Sequence, residues 1–407
     1  MATLARPAIP VLSLVLLVAA SILLNYIDRG TIAVAAPLAK QELGLSATAF
    51  GVAISAFFWV YAPIQLFVGW LVDRFSVYRL LAGGLALWAL STAAMGFVSS
   101  LAGLVILRLL LGLGESIAFP GSSKIICRHV PAARRGIANA AVAAGIALGP
   151  AVGTLAGGLL MTNFGWRAMF VIFGLMTLLW LLPWSALVRR FPAEHPHVTE
   201  PRFPLKRVLA TRALWTTSLG HFAINYGFYF LLSWLPLYLV QQRGFSILTM
   251  TMLTTMVYVA QAASALTLGW HCDRRIARGA EQGAACRLPI VGGISLLGIA
   301  ILGIALAEDT RLLTAFLLLA GLGCGPCSTN LFAIAQIFAG PRAAGTYVGV
   351  QNTCGNLAGI VGPIITGIIV DRTGSFLNAF YVAAAICAVG AVCWTWFVPR
   401  IVPLDLD

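Results

Sequence analysis

Long apolar stretches recur along the whole chain, separated by short polar segments. A helix needs about 20 apolar residues to cross a hydrocarbon core of about 30 Å. Stretches of this length occur about twelve times, so the pattern predicts twelve transmembrane helices. Their approximate ranges are 11–36, 48–71, 80–98, 102–127, 136–161, 166–188, 213–240, 247–271, 288–307, 311–339, 344–370 and 376–398.

The composition agrees with this pattern. The chain is 60% hydrophobic and 10% charged, whereas soluble domains carry about 25% charged residues. The first apolar stretch is too long, and too regularly followed by others, to be a cleaved signal peptide. We therefore expect an all-α integral membrane protein and not an exported soluble enzyme.

The basic residues predict the orientation of the helices. If both termini face the cytoplasm, 19 of the 26 Lys and Arg lie in cytoplasmic segments, and only five lie on the other side. This bias follows the positive-inside rule, so the net charge of +13 indicates topology. It does not indicate nucleic-acid binding, because no basic run alternates with aromatic residues on a soluble domain. Short loops and the lack of an Asn-x-Ser/Thr sequon favour a bacterial inner membrane. The five on the other side are Lys40, Arg167, Arg243, Arg311 and Arg372.

The two halves of the chain resemble each other. A shift of 200 residues superimposes Asn25-Tyr26 on Asn225-Tyr226 and Asp73-Arg74 on Asp273-Arg274. A parallel repeat of six helices is a common transporter layout. The sequence predicts a first six-helix bundle (1–188), a Pro-rich and charged cytoplasmic linker (189–212) and a second six-helix bundle (213–407).

Particular motifs resemble a known family. "GWLVDRFSVYR" after helix two, with a weaker copy "GWHCDRRIAR" after helix eight, resembles the signature loop of the major facilitator superfamily. Within it, "NYIDR", "AFFWVYAPIQLFVGWLVDR" and "RLLLGLGESIAFPG" resemble the anion:cation symporters, which include D-galactonate and hexuronate transporters, sialin and the vesicular glutamate transporters. The resemblance covers essentially the whole chain and implies the major facilitator fold of two pseudo-symmetric bundles.

Four charges lie deep within the predicted spans: Asp28, Arg29, Arg108 and Glu115. Each costs roughly 2.5–3.5 kcal/mol at a helix centre, or on the order of 10 kcal/mol for the set before pairing. The repeat places uncharged residues at the equivalent positions of the second half. Buried ion pairs that only lock helices one and four are the structural alternative. We favour a functional role, because intramembrane charges usually face a substrate path or a partner.

The resemblance implies roles for these residues. Asp28 and Glu115 match the family's protonation pair, Arg29 its principal substrate arginine and Arg108 its second arginine. A planar guanidinium suits recognition of a substrate carboxylate. The aromatic positions Tyr26 and Tyr61 match positions that line the family's pocket.

The second half should supply neutral polar groups to the same cavity. We expect Tyr229, Asn352 and Asn356 to contribute, since the two asparagines share a helix face. Each could equally serve only to join neighbouring helices by hydrogen bonds. Further polar candidates are Asn225, Tyr226, Ser328, Thr329, Asn330 and Gln351.

The signature loops predict a gate. The Asp73 carboxylate can lie near the cytoplasmic N-terminus of helix eleven, where the helix dipole favours it, and pair with Arg128. Closing and opening this cluster would help one bundle to rock against the other. The predicted gating residues are Asp73, Arg74, Arg128, Asp273 and Arg274.

Two further motifs bear on function. "CGPC" at 324–327 resembles a thioredoxin motif but lies in an apolar helix without a βαβ context. "GIALGPAVG" in helix five matches a motif of exchangers, and its glycines at 145, 149, 153 and 157 form a strip suited to close helix contact. No Cys/His spacing indicates a metal site, and we expect no cofactor.

The sequence thus predicts a proton-coupled symporter that moves a small organic anion, such as a sugar acid, by alternating access. An exchanger or exporter of organic anions is the main alternative, and a membrane-embedded enzyme or receptor is a more distant one. The expected partners are the anion, protons and the bilayer, without nucleic acid, and the protein is expected to work as a monomer.

Overall fold

The computed structural model describes residues 8–131, 135–189, 191 and 205–404. Throughout these ranges the regular structure is helical, without a strand. The α-helices are α1 (Ala8–Glu42), α2 (Ala47–Arg74), α3 (Val77–Met95), α4 (Leu101–Glu115), α5 (Ala118–His129), α6 (Arg135–Leu179), α7 (Leu181–Val188), α8 (Leu205–Leu209), α9 (Arg212–Gln241), α10 (Ile247–Ala277), α11 (Gln282–Leu306), α12 (Thr310–Thr373) and α13 (Leu377–Val392), followed by a π-helical turn, Cys393–Phe397.

Two of these helices contain two membrane crossings each. Gly165 (φ 83°) bends α6, and Gly340 (φ 61°) bends α12. Both glycines adopt left-handed backbone angles that side chains disfavour. We call the arms α6a (135–164), α6b (166–179), α12a (310–339) and α12b (341–373). Within the described residues, eleven helical spans are long and apolar enough to cross a membrane, and the bent span Ile137–Val188 accounts for two crossings. The predicted twelve-helix, all-α membrane fold is confirmed.

Two predicted helices are interrupted. The fourth, expected at 102–127, divides between α4 and α5, and the sixth, expected at 166–188, divides between α6b and α7. Pro120 and Pro183 explain the breaks, because proline removes one helical hydrogen bond and clashes with the carbonyl four residues earlier. Those carbonyls belong to Ser116, the C-cap of α4, and to Leu179, the last residue of α6.

Successive crossings place the turns on two faces. We call the face that carries α8 and the ends of α2, α5 and α10 the linker face. The face with the turns at 43–46, 242–246 and 374–376 is the opposite face. Most of the predicted linker, 189–212, lies outside the described residues, so the domain boundaries stay a prediction.

Glycines bring helices of the first half into backbone contact. A β-carbon at Gly145 or Gly149 would lie 3.0 Å from a backbone oxygen of α1, and one at Gly153 would lie 2.7 Å from another. Three of the four glycines in the predicted strip therefore pack α6a onto α1. Gly157 instead faces Met169 and Phe173 of α6b.

A matched pair of glycines tests this packing. A β-carbon at Gly112 of α4 would overlap the carbonyl of Phe57 in α2, whereas Gly83 of α3 faces open space. Alanine is intrinsically better than glycine in a helix by about 1 kcal/mol. We expect Gly112→Ala to lower the thermal unfolding midpoint in detergent and Gly83→Ala to leave it unchanged or raise it. Equal midpoints for the two variants would contradict the packing.

Candidate functional site

The four membrane-embedded charges lie on two helices of the first half. Asp28 and Arg29 are in the middle of α1, and Arg108 and Glu115 are in α4. Asp28 and Glu115 are fully buried, and Arg108 is nearly so. Gly112 and Gly114, which lie between Arg108 and Glu115, allow close contact of α4 with α2 and α3. The sequence of α4 therefore combines charge with close packing.

An ion pair joins the two helices. The Nε of Arg29 donates to Oε2 of Glu115 over 2.9 Å. The Arg29 side chain is 10% exposed and that of Glu115 is 0% exposed. A charge-assisted hydrogen bond in such surroundings is stronger than one in water. Glu115 thus pairs across the helix interface with Arg29.

Aromatic rings surround the Arg29 guanidinium. Its Cζ atom lies 4.6 Å from the ring centroid of Tyr61, 4.9 Å from that of Tyr26 and 5.4 Å from that of Phe57. These are cation–π distances. The structure brings both predicted tyrosines to Arg29. Phe57 was not predicted, although its position in "AFFWVY", one turn before Tyr61, could have indicated it.

Arg108 approaches the same ring. Its Cζ lies 5.1 Å from the Phe57 centroid, and its Nη2 donates to the carbonyl of Ile54 over 3.2 Å. Among the described residues, its buried Nε and Nη1 atoms find no hydrogen-bond acceptor. The two guanidiniums therefore share Phe57 as a neighbour.

Asp28 points toward a different helix. The indole of Trp88 and the hydroxyl of Thr92, both on α3, lie beside its carboxylate. Neither approach has hydrogen-bond geometry, so both carboxylate oxygens are buried without a hydrogen-bond partner in the described part of the chain. Asn25 lies beside Glu115 in the same way. The neighbours Asp28 and Arg29 face different helices, as their 100° separation predicts.

The second half contributes a neutral chain of hydrogen bonds. The Tyr229 hydroxyl donates to Oδ1 of Asn356 over 2.7 Å. Nδ2 of Asn356 donates in turn to the carbonyl and to Oδ1 of Asn352, over 2.8 and 3.0 Å. The Tyr229 ring lies 4.7 Å from that of Phe58 in α2. The three predicted residues thus lie together, and Tyr229 meets the first half next to Phe57.

The other polar candidates have different surroundings or only their burial is described. Asn330 donates to the Pro326 carbonyl and accepts from the Cys272 thiol, toward the linker face. Gln351 is fully buried, and Tyr226 is nearly so. The side chains of Ser328 and Thr329 lie outside the described part of the chain. Cys324 and Cys327 are free, buried thiols within α12a.

The predicted gate is described only in part. The side chain of Asp73 lies outside the described part of the structure, so its pairing with Arg128 stays a prediction. Arg74 and Arg128 end α2 and α5 at the linker face. Asp273 and Arg274 are exposed at the end of α10, where the Arg274 guanidinium lies 5.1 Å from the Trp270 ring.

Two cavities lie away from this cluster. One of about 440 Å³ opens between α10, α11 and α12a, and one of about 490 Å³ lies beside the first turns of α11. Their linings contain none of the predicted substrate-binding residues. We therefore identify the candidate site by its buried charges and hydrogen bonds and not by cavity volume.

The family is decided by a match to a family model. Residues 18–363 match the Major Facilitator Superfamily. The chain belongs to this superfamily. Among its relatives is a probable sulfoacetate transporter of Cupriavidus necator, with 29% identity over 90% of this chain and 89% of the relative. A probable galactarate/D-glucarate transporter of Bacillus subtilis shows 30% identity over 90% of this chain and 87% of the relative.

A solved structure gives the same fold. A bacterial homologue of the human lysosomal transporter Spinster, in an inward-facing and unoccupied conformation, matches with a TM-score of 0.81 and 18% identity. The match covers 97% of this chain and 98% of the other. This likeness shows the fold, while the family match and the sequence relatives show that this Major Facilitator Superfamily protein is a multi-pass membrane transporter and not an enzyme.

The ion pair can be tested by stability measurements. Removing one partner of a buried pair typically costs 3–5 kcal/mol, whereas replacing both with apolar residues is often neutral. We expect Glu115→Leu to lower the thermal midpoint of this Major Facilitator Superfamily protein more than the double variant Arg29→Met/Glu115→Leu does. A double variant less stable than either single variant would contradict the pairing.

Proposed function

We propose that the protein is a proton-coupled symporter that moves a small organic anion by alternating access. The observation that carries this proposal is the 2.9 Å bond between Arg29 and Glu115. The guanidinium that would bind a substrate carboxylate is held by a carboxylate of the protein itself. In this proposal, substrate and Glu115 compete for this one cation.

This competition would couple the anion to a proton. When the substrate carboxylate takes Arg29, Glu115 loses its cationic partner in a fully buried position. An isolated buried carboxylate costs several kcal/mol, and protonation removes that cost. Anion binding thus favours proton binding, and release of one favours release of the other. Asp28, whose carboxylate lies beside Trp88 and Thr92 without an ion pair among the described residues, is the other proton site in this proposal.

The relatives and the charges support a class of substrate. Sulfoacetate, galactarate and glucarate each carry two acidic groups, and the cluster holds two guanidiniums, those of Arg29 and Arg108. The neutral chain of Tyr229, Asn356 and Asn352 offers hydrogen bonds to the uncharged part of such a molecule. We therefore propose small organic dianions, including sugar diacids, as the first compounds to test.

We further propose that the protein works as a monomer in a bacterial inner membrane, with both termini cytoplasmic. The basic linker face supports this orientation. Asp73, Arg74, Arg128, Asp273 and Arg274 are proposed to gate the linker face while the two bundles rock around the cluster.

Anion exchange without protons is the alternative function suggested by the glycine motif of α6a. Three of its glycines pack against the backbone of α1. Close packing thus accounts for these residues, and the motif alone does not favour exchange over symport.

Arg29 should be required for anion binding. Lysine keeps the charge but loses the bidentate geometry, so we expect Arg29→Lys to weaken dianion binding by about tenfold or more, and Arg29→Ala to abolish it. Calorimetric titration with galactarate, glucarate and sulfoacetate measures this effect. Arg311→Lys, exposed at the opposite face, is the control. Unchanged affinity in Arg29→Ala would exclude Arg29 as the substrate ligand.

Glu115→Gln should separate exchange from accumulation. Glutamine imitates a permanently protonated carboxyl, so the anion can still bind and the bundles can still rock. In proteoliposomes we expect substrate exchange to persist, while accumulation driven by an acid-outside gradient is lost.

Glu308→Gln is the control for this variant, because Glu308 is exposed at the opposite face. Retained gradient-driven uptake by Glu115→Gln would move the coupling site to Asp28. Loss of both activities would support a purely structural ion pair.

A further inference from the structure

Asp371 lies where its own helix does not favour it. It is close to the C-terminal end of α12b, which finishes at Thr373 on the opposite face. The C-terminus of a helix carries partial negative charge, so a carboxylate there is unfavourable. The position of Asp371 therefore requires an explanation from outside α12b.

The Asp371 carboxylate instead caps the start of another helix, α2. Oδ1 of Asp371 accepts from the backbone N–H of Ala47, and Oδ2 accepts from that of Thr48, each over 2.8 Å. These are the first two residues of α2. The hydroxyl of Ser46 accepts from the next N–H, that of Ala49, over 3.1 Å. The first-turn donors of α2 are thus shared between its own N-cap and a residue more than 320 positions away.

These bonds cross from one half of the protein to the other. α2 belongs to the first half and α12b to the second, and their backbones touch beside Asp371. A β-carbon at Gly367 would lie 2.5 Å from the Ala47 carbonyl oxygen, and one at Gly51 would overlap the carbonyl of Pro363. Gly158 of α6a lies against the Thr251 side chain of α10, also toward the opposite face. The opposite face is closed at both places.

We propose that Asp371 is a gating residue, whose carboxylate holds α2 against α12b while the opposite face is closed and must release α2 before that face opens. The cap combines two charge-assisted hydrogen bonds with the dipole of α2. It therefore biases the protein toward the conformation closed at this face. The inference rests on transport by alternating access, but not on coupling to protons.

The arrangement is reciprocal to the gate predicted from the sequence. Asp73, at the end of α2, is predicted to meet the start of α12b at the linker face. Asp371, at the end of α12b, meets the start of α2 at the opposite face. The same two helices would thus carry one carboxylate latch at each end, and alternating access requires the two latches to close in turn.

Asp309 provides a matched control for Asp371. Its Oδ1 accepts from the backbone N–H groups of Arg311 and Leu312, over 2.7 and 2.9 Å. It also lies on the opposite face, but it caps its own helix and joins no other. If loss of any carboxylate cap loosened the opposite face, Asp371→Asn and Asp309→Asn would both do so. If Asp371 acts as a latch, only Asp371→Asn would loosen that face.

The experiment compares amide hydrogen exchange of purified wild-type protein, Asp371→Asn and Asp309→Asn, without substrate. Exchange is followed in α2 at 47–52 and, as the deciding readout, at 155–160 and 248–252, which contain Gly158 and Thr251. A latch controls the whole face, so we expect Asp371→Asn to raise exchange by about tenfold in all three segments. Asp309→Asn should raise it only near 310–313.

Exchange that rises in Asp371→Asn only at 47–52 would reduce Asp371 to a local cap and overturn the proposal. So would exchange unchanged from wild type, or an equal rise at 155–160 in Asp309→Asn. Because no substrate is present, these outcomes do not depend on the proton coupling proposed above. Anion transport assays on wild-type protein test that function separately.

Discussion

The hydrogen bond between Arg29 and Glu115 is the interaction on which the rest of the site depends. Four charges inside a membrane cost on the order of 10 kcal/mol before pairing, and this bond pairs two of them at 2.9 Å. It also orients the guanidinium between Tyr26 and Tyr61. If substrate displaces Glu115 from Arg29, as proposed, the stabilising contact and the coupling contact would be the same.

The two halves differ in charge, because, among the described residues, the Arg29–Glu115 pair and the other buried charges lie in the first half alone. The first half holds the charges, and its glycines bring α2, α3 and α4 close enough to enclose them. The second half presents Tyr229, Asn356 and Asn352, which are neutral and hydrogen-bonded to one another. One bundle thus supplies charge and the other supplies uncharged donors and acceptors. An anion bound between the two bundles would therefore change the charge pairing in the first bundle only.

The sequence predicted the twelve crossings and most of the first-half residues that the structure brings together around Arg29, because apolar length and buried charge are strong signals in a membrane. It did not predict the breaks before Pro120 and Pro183, since hydropathy is insensitive to backbone geometry. Spacing placed Arg108 and Glu115 on one helix face, but could not show that Glu115 bonds to Arg29 on another helix. Asn330 was a reasonable polar candidate, yet it bonds to Pro326 and Cys272. The position of Asp371 could have indicated a contact with another helix, since a carboxylate is unfavourable at the C-terminal end of its own helix.

The most direct test of this account is proton uptake on anion binding by the wild-type protein. A pH-sensitive dye in weakly buffered detergent solution would follow the addition of a saturating dianion whose binding is established by calorimetry. Displacement of Glu115 from Arg29 predicts that protons are taken up from solution as the anion binds, with the same saturation curve. Saturable anion binding with no uptake of protons would contradict the account.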